Sequence, residues 1–264
     1  MRFYTFSTFF VVVVIYCLSM MLFVGSRERS PRAFSFAVFM LATWEMTIAF
    51  TYLFFGVNDV LSAFAARASY LFGTLLAFSV FYFSLVYQDT SEKNSFNTTR
   101  KVFVLSAIPI TFLYFAKDIL ALFGKTISET VVTDVYLTPD GYLGWHFGNL
   151  DVLFYVLFFA LWGLTMGTIY QKYKYQTDLV LKRQAWFMLM VLTVGIVPAG
   201  MANAAFPGLG LFAFEWPGLM SALGWVSVMA YSVIKENQMK VKTEYSELLI
   251  IGMILLMFIG FFAV

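Results

Sequence analysis

Apolar residues follow one another along this chain in runs long enough to cross about 30 Å of hydrocarbon at ~1.5 Å per residue, with short polar breaks between them. The pattern predicts seven full spans, roughly Phe3 to Val24, Ala33 to Phe55, Ala63 to Tyr87, Val102 to Phe115, Leu150 to Tyr170, Ala185 to Ala205 and Gly218 to Ile234. A partial or short eighth helix begins at Leu248. Lys117 and Asp118 interrupt the fourth span early, so Ile119 to Phe123 either extend it or lie along the membrane surface. The expected architecture is an all-α membrane protein: a seven-helix transmembrane bundle (1–234), a juxtamembrane linker (235–247) and the eighth helix (248–264).

One long connection, Lys117 to Asn149, breaks the helical pattern. Within it Val131 to Leu137, then Pro139-Asp140-Gly141, then Tyr142 to Trp145 read as strand, turn and strand. Pro supplies a fixed φ, Asp caps the turn and Gly takes the left-handed position. A small extracellular β-hairpin between helices four and five is predicted. Its aromatics, with Phe212 and Trp216, would lie at the headgroup level where Trp and Tyr are enriched.

Composition narrows the class. Of 264 residues, 61% are hydrophobic and 12% charged, about half the charged fraction of a soluble domain. Nucleic-acid modules and cytosolic enzymes are excluded. The single cysteine, Cys17, permits no intrachain disulfide and no thiolate metal cluster.

Charge placement sets orientation, because cytoplasmic loops are enriched in Lys and Arg. Only Arg2, Arg67, Lys117 and Lys125 of the 17 basic residues fall on one side. That side is outside, with the N-terminus. The first span is a retained anchor and not a cleaved signal peptide, since its apolar stretch is too long and basic residues follow it. The Asn97-Thr98-Thr99 sequon then lies inside and is coincidental.

Ionisable groups within the membrane are expensive and mark candidate sites. Glu45 sits about eleven residues, ~16 Å, from either end of the second span. A protonated, hydrogen-bonded structural role and a ligand- or proton-sensing role both fit it. Arg67 lies nearer the outer end of the third span, where it can snorkel to the headgroups. The depth difference argues against a direct Glu45–Arg67 pair. Pro198 should kink the sixth span near the amide of Asn203, forming either a polar pocket or a close small-residue helix contact. His146, the only histidine, stands between Trp145 and Phe147 as a pH sensor or as an interfacial residue without a role. No metal site and no cofactor is expected.

With no lysine within the seventh span, a retinal Schiff base has nowhere to form. Phosphate loops, paired haem histidines and catalytic Ser–His arrangements are missing from the sequence too. The chain is therefore not expected to be an enzyme. A small transporter or channel with Glu45 and Asn203 lining a path, or a stand-alone membrane scaffold, remain as alternatives to a sensor.

Several loosely spaced features, together and in order, are fairly specific. They are Trp44-Glu45; Tyr70-Leu71-Phe72-Gly73 followed by Phe83 and Tyr87; the hairpin around Gly141; Lys182-Arg183-Gln184; Pro198 with Asn203; and Ala230-Tyr231-Ser232-Val233-Ile234-Lys235. From Ala33 to Lys242 the chain resembles the N-terminal seven-transmembrane sensor region of bacterial histidine kinases. The resemblance implies a sensory input module in a bacterial cytoplasmic (inner) membrane, working as a homodimer. Trp44, Glu45, Arg67, Tyr70, His146, Pro198 and Asn203 are then ligand-sensing candidates, and Lys235, Glu236, Lys240 and Lys242 are signal-relay candidates, in a stretch that fits a coupling lever and a solvated linker equally. Expected partners are the lipid bilayer, a small apolar ligand, and cytoplasmic kinase output domains or a partner protein; nucleic acid is not among them. The lone external histidine and the lack of nucleotide-binding glycines depart from a whole kinase. A fragment whose output lies downstream is the expectation.

Overall fold

The computed structural model describes residues 2–25, 28–88, 106, 109–110, 112–120, 123–124, 130–139, 142–201, 206, 209–210, 224, 226 and 228, with side chains placed for all of these except 2–7 and 196–200. The seventh span (apart from three residues), the linker, the eighth helix, Asn203, the hairpin tip Asp140-Gly141, Phe212 and Trp216 lie outside the described residues. So do the relay candidates Lys235, Glu236, Lys240 and Lys242.

Six helices and one two-stranded sheet are described: α1 (Arg2–Gly25), α2 (Arg29–Phe54), α3 (Asp59–Val86), α4 (residues 112–120), β1 (Val132–Leu137), β2 (Leu143–Phe147), α5 (Asp151–Tyr175) and α6 (Leu179–Gly200). Thr8–Gly25, Arg29–Phe54, Asp59–Val86 and Asp151–Tyr175 are each long and apolar enough to cross a membrane. The protein is membrane-embedded. Large apolar side chains such as Val13, Met20, Val156, Leu164 and Val194 face outward from the helices, where water would penalise them and lipid does not.

Local chemistry starts and stops these helices. Gly56 adopts φ 73° in the turn after α2, and the Asn58 side chain accepts from Leu61 N–H at 3.1 Å to cap α3. Asp178 does the same for α6, accepting from Val180 N–H at 2.7 Å and Leu181 N–H at 3.2 Å. Lys117 and Asp118 do not end α4, which continues through both to residue 120. The reason is that Asp118 has a cationic partner, described below.

Helix α2 packs between α1 and α3, α3 also touches α5 and β1, and α5 packs on α6. Small residues at the contacts, Ala37, Ala42 and Ala49 on α2 and Ala66 and Ala77 on α3, are fully buried and let the backbones approach. Polar pairs fix the register between neighbours. Ser19 and Ser35 donate to each other's backbone carbonyls at 2.9 and 2.7 Å, and Ser62 Oγ donates to Thr51 carbonyl at 2.9 Å.

The hairpin lies between α4 and α5, with β2 reaching Phe147, two residues past the predicted strand. Pairing is antiparallel, with an irregularity between Val132 and Asp134 that leaves Thr133 as the extra residue. Beyond it Val135 faces Trp145 and Leu137 faces Leu143, while Asp134 faces His146 and Tyr136 faces Gly144. Because side chains alternate along a strand, these pairs divide into two faces. On the first face Leu143 and Trp145 are buried and only Leu137, beside the turn, is 51% exposed; on the second, Asp134 and His146 are exposed, while Gly144 is buried.

Candidate functional site

Trp145 is 5% exposed and turns into the bundle. Its ring meets Tyr70 of α3 at 5.7 Å between centroids, edge to face, and Phe147 meets the same tyrosine at 6.4 Å. Tyr70 in turn meets Phe154 of α5 at 4.6 Å, and a side-chain hydrogen bond joins it to Tyr155. From Phe154 the contacts continue along one face of α5 to Phe158 at 5.3 Å and Trp162 at 5.9 Å. Trp44 of α2 reaches Phe158 at 6.2 Å. The edge-to-face pairs among these, such as Tyr70 with Phe154, each add about 0.5–1.5 kcal/mol beyond burial.

Gly73 makes this seam close. A methyl there would lie 3.2 Å from Trp44 Nε1 and 3.3 Å from a ring carbon of Phe154, so both rings pack directly on the glycine. The indole N–H groups of Trp145 and Trp162 are buried and meet no hydrogen-bond acceptor among the described residues. Such orphaned donors are rare in native structures and mark places where an acceptor is wanted. Glu45, next to Trp44, is 1% exposed near the middle of α2.

A second set of contacts holds the hairpin down. Arg67 donates through Nε to Asp118 Oδ2 at 2.8 Å and through Nη2 to Oδ1 at 2.6 Å, while Nη1 donates to Val132 carbonyl at 3.1 Å. Side-chain exposure is 4% for Arg67 and 27% for Asp118. The expected snorkelling of Arg67 is therefore corrected: its planar fork turns inward, because a carboxylate within two-point reach satisfies more donors than a headgroup contact. One guanidinium thus ties together α3, α4 and β1. Thr74 Oγ1 and Tyr114 Oη, 2.9 Å apart, join α3 to α4 a second time.

At the far end, Lys172 of α5 donates to the carbonyls of Leu85 and Tyr87. A cation at a helix C-terminus satisfies orphan carbonyls and opposes the helix dipole. Gln88, held at φ 54°, donates to Leu181 carbonyl at 2.9 Å. The end of α3 is thereby joined to both α5 and the start of α6.

The structure brings Trp44, Tyr70 and the hairpin base into one contact chain and sets Arg67 beside them. His146 does not join: on the exposed face, its Nδ1 lies 2.6 Å from Asp134 Oδ1, and its ring stacks on Tyr136 at 4.2 Å. Pro198 belongs to helical backbone in α6. Sequence reasoning missed Asp118, Phe154, Phe158 and Trp162, although the last three recur every four residues, the signature of one helical face. No protein-family model and no curated protein matches the sequence.

Proposed function

We propose that the chain is the membrane-embedded sensory input module of a bacterial two-component histidine kinase, passing a stimulus to a cytoplasmic output not contained in its 264 residues. The observation that carries the reading is the continuous aromatic contact from the hairpin through Tyr70 to α5 and Trp44. A hairpin set on such a seam, with Arg67 as its anchor, moves the helices when it moves. The stimulus acts by binding one packing of these helices better than another, which shifts the population between them. The two buried indole donors favour an aromatic or apolar ligand that brings a hydrogen-bond acceptor. In this reading the hairpin is outside and the Lys172–Gln88 junction faces the cytoplasm, where Lys235, Glu236, Lys240 and Lys242 relay the change to the output of a homodimer.

The transporter or channel alternative needs water to reach Glu45, and an exposure of 1% favours the sensor over it. The native reading frame beyond the codon for Val264 tests the proposal. It is expected to continue through a further membrane pass into a helix carrying His followed by an acidic residue, then glycine-rich nucleotide motifs, or to stop beside a gene for a partner with those features. A stop codon with neither would overturn it.

A further inference from the structure

At the end of the bundle opposite the hairpin, the corner between α5 and α6 concentrates cations, rings and exposed aliphatic groups. Lys182 Nζ stands 5.3 Å from the centroid of Tyr173, and that ring meets Trp186 at 5.3 Å. Lys174 Nζ stands 5.5 Å over Tyr175. Arg183 is exposed one residue further on. Asp178 is the only acid between residues 171 and 187, and its Oδ1 is occupied in capping α6. Among the described residues no carboxylate pairs with Lys174, Lys182 or Arg183. This differs from the hairpin end, where Arg67 is neutralised by Asp118.

Leu179 and Val180, in the first turn of α6, are 71% and 64% exposed. Apolar groups so exposed beside three cations that no described carboxylate neutralises suit a boundary between hydrocarbon and charged headgroups, and Tyr and Trp are enriched at that depth. The rings hold the cations in place, since an ammonium over an aromatic face is attracted by its quadrupole. A free anion would use the cations and leave the aliphatic turn in water. A phospholipid uses both.

We propose that the α5–α6 corner binds the headgroup of an anionic phospholipid, its phosphodiester held by Lys182 and Arg183 with Lys174 beside them and its acyl chains against Leu179 and Val180. Basic residues beside an anionic leaflet each contribute a several-fold gain in affinity. The test is native mass spectrometry of the full chain released from mixed micelles with equal amounts of phosphatidylglycerol and phosphatidylcholine. Wild-type protein is expected to retain phosphatidylglycerol preferentially, and Lys182→Gln or Arg183→Gln each to lower that preference about fivefold. Lys117→Gln, on α4 at the other end, is expected to leave it unchanged. Arg183→Gln alone suffices should Lys182→Gln not fold. Equal retention of the two lipids by the wild type, or wild-type preference in Arg183→Gln, would overturn the proposal. Complete displacement of phosphatidylglycerol by excess inorganic phosphate would also overturn it, reducing the corner to an anion site.

Discussion

Asp118→Ala is expected to destabilise the protein by about 3 kcal/mol, more than Arg67→Met at the other end of the same ion pair. The asymmetry follows from burial. Arg67 is 4% exposed and Asp118 27%, so removing the aspartate strands a buried guanidinium whose remaining partner is the Val132 carbonyl. Removing the arginine leaves a carboxylate that water can reach. Combining Arg67→Met with Asp118→Leu should restore much of the loss, because the charges then disappear together. Thermal unfolding in one detergent measures all three. A greater loss in Arg67→Met than in Asp118→Ala would mean that the guanidinium is not the group needing compensation. Hydrogen exchange separates anchoring from general stability: Asp118→Ala should accelerate exchange at Val132 to Leu137 before it affects α1 and α2.

Phe154→Ala is expected to cost about 3 kcal/mol, the usual range for emptying a buried phenylalanine site. Phe154 is 3% exposed and touches Tyr70, Tyr155 and Phe158 while lying over Gly73. Rigid rings line the resulting gap and collapse poorly into it. Phe154→Leu, keeping most of the volume, should cost about 1 kcal/mol. Both variants remove the ring that links Tyr70 to Phe158. Phe154→Leu therefore separates the two roles of the residue, as it should fold well and still weaken the contact between hairpin and helices.

How much of this was legible in the sequence depended on how local the determining physics was. The hairpin could be read because its turn chemistry, Pro139-Asp140-Gly141, and its strand pattern lie within a few residues of one another. The first three spans and the fifth were legible from hydropathy alone, with ends displaced by a few residues where Asn58 and Gly56 set the turn. The Arg67–Asp118 pair was not, since its members stand 51 residues apart. Without that partner Asp118 reads as a charge that ends a helix; with it α4 continues. The Phe154, Phe158, Trp162 face was hidden for another reason. Hydropathy scores aromatic and aliphatic residues alike, so a stripe of rings within an apolar run carries no contrast. From the sequence Lys172 is one more inner-side cation at the end of a span, while its contacts show it closing the end of α3. Glu45 and Arg67 share a cost in the membrane that marks both in the sequence, yet only Arg67 belongs to the hairpin anchor, while Glu45 is buried near the middle of α2.

Through the aromatic seam the hairpin and the helix interior are expected to move as one. Fluorine NMR of the full chain labelled with 5-fluorotryptophan, in lipid nanodiscs, tests it most directly, because Trp145, Trp44 and Trp162 report from the hairpin, α2 and α5. Val135→Ala perturbs Trp145 from its cross-strand position. In otherwise wild-type protein this change is expected to shift the Trp145 resonance together with those of Trp44 and Trp162; in Phe154→Leu it should shift Trp145 alone. Trp44 and Trp162 resonances unmoved in the wild-type background while Trp145 moves would mean that the seam does not couple hairpin to helices.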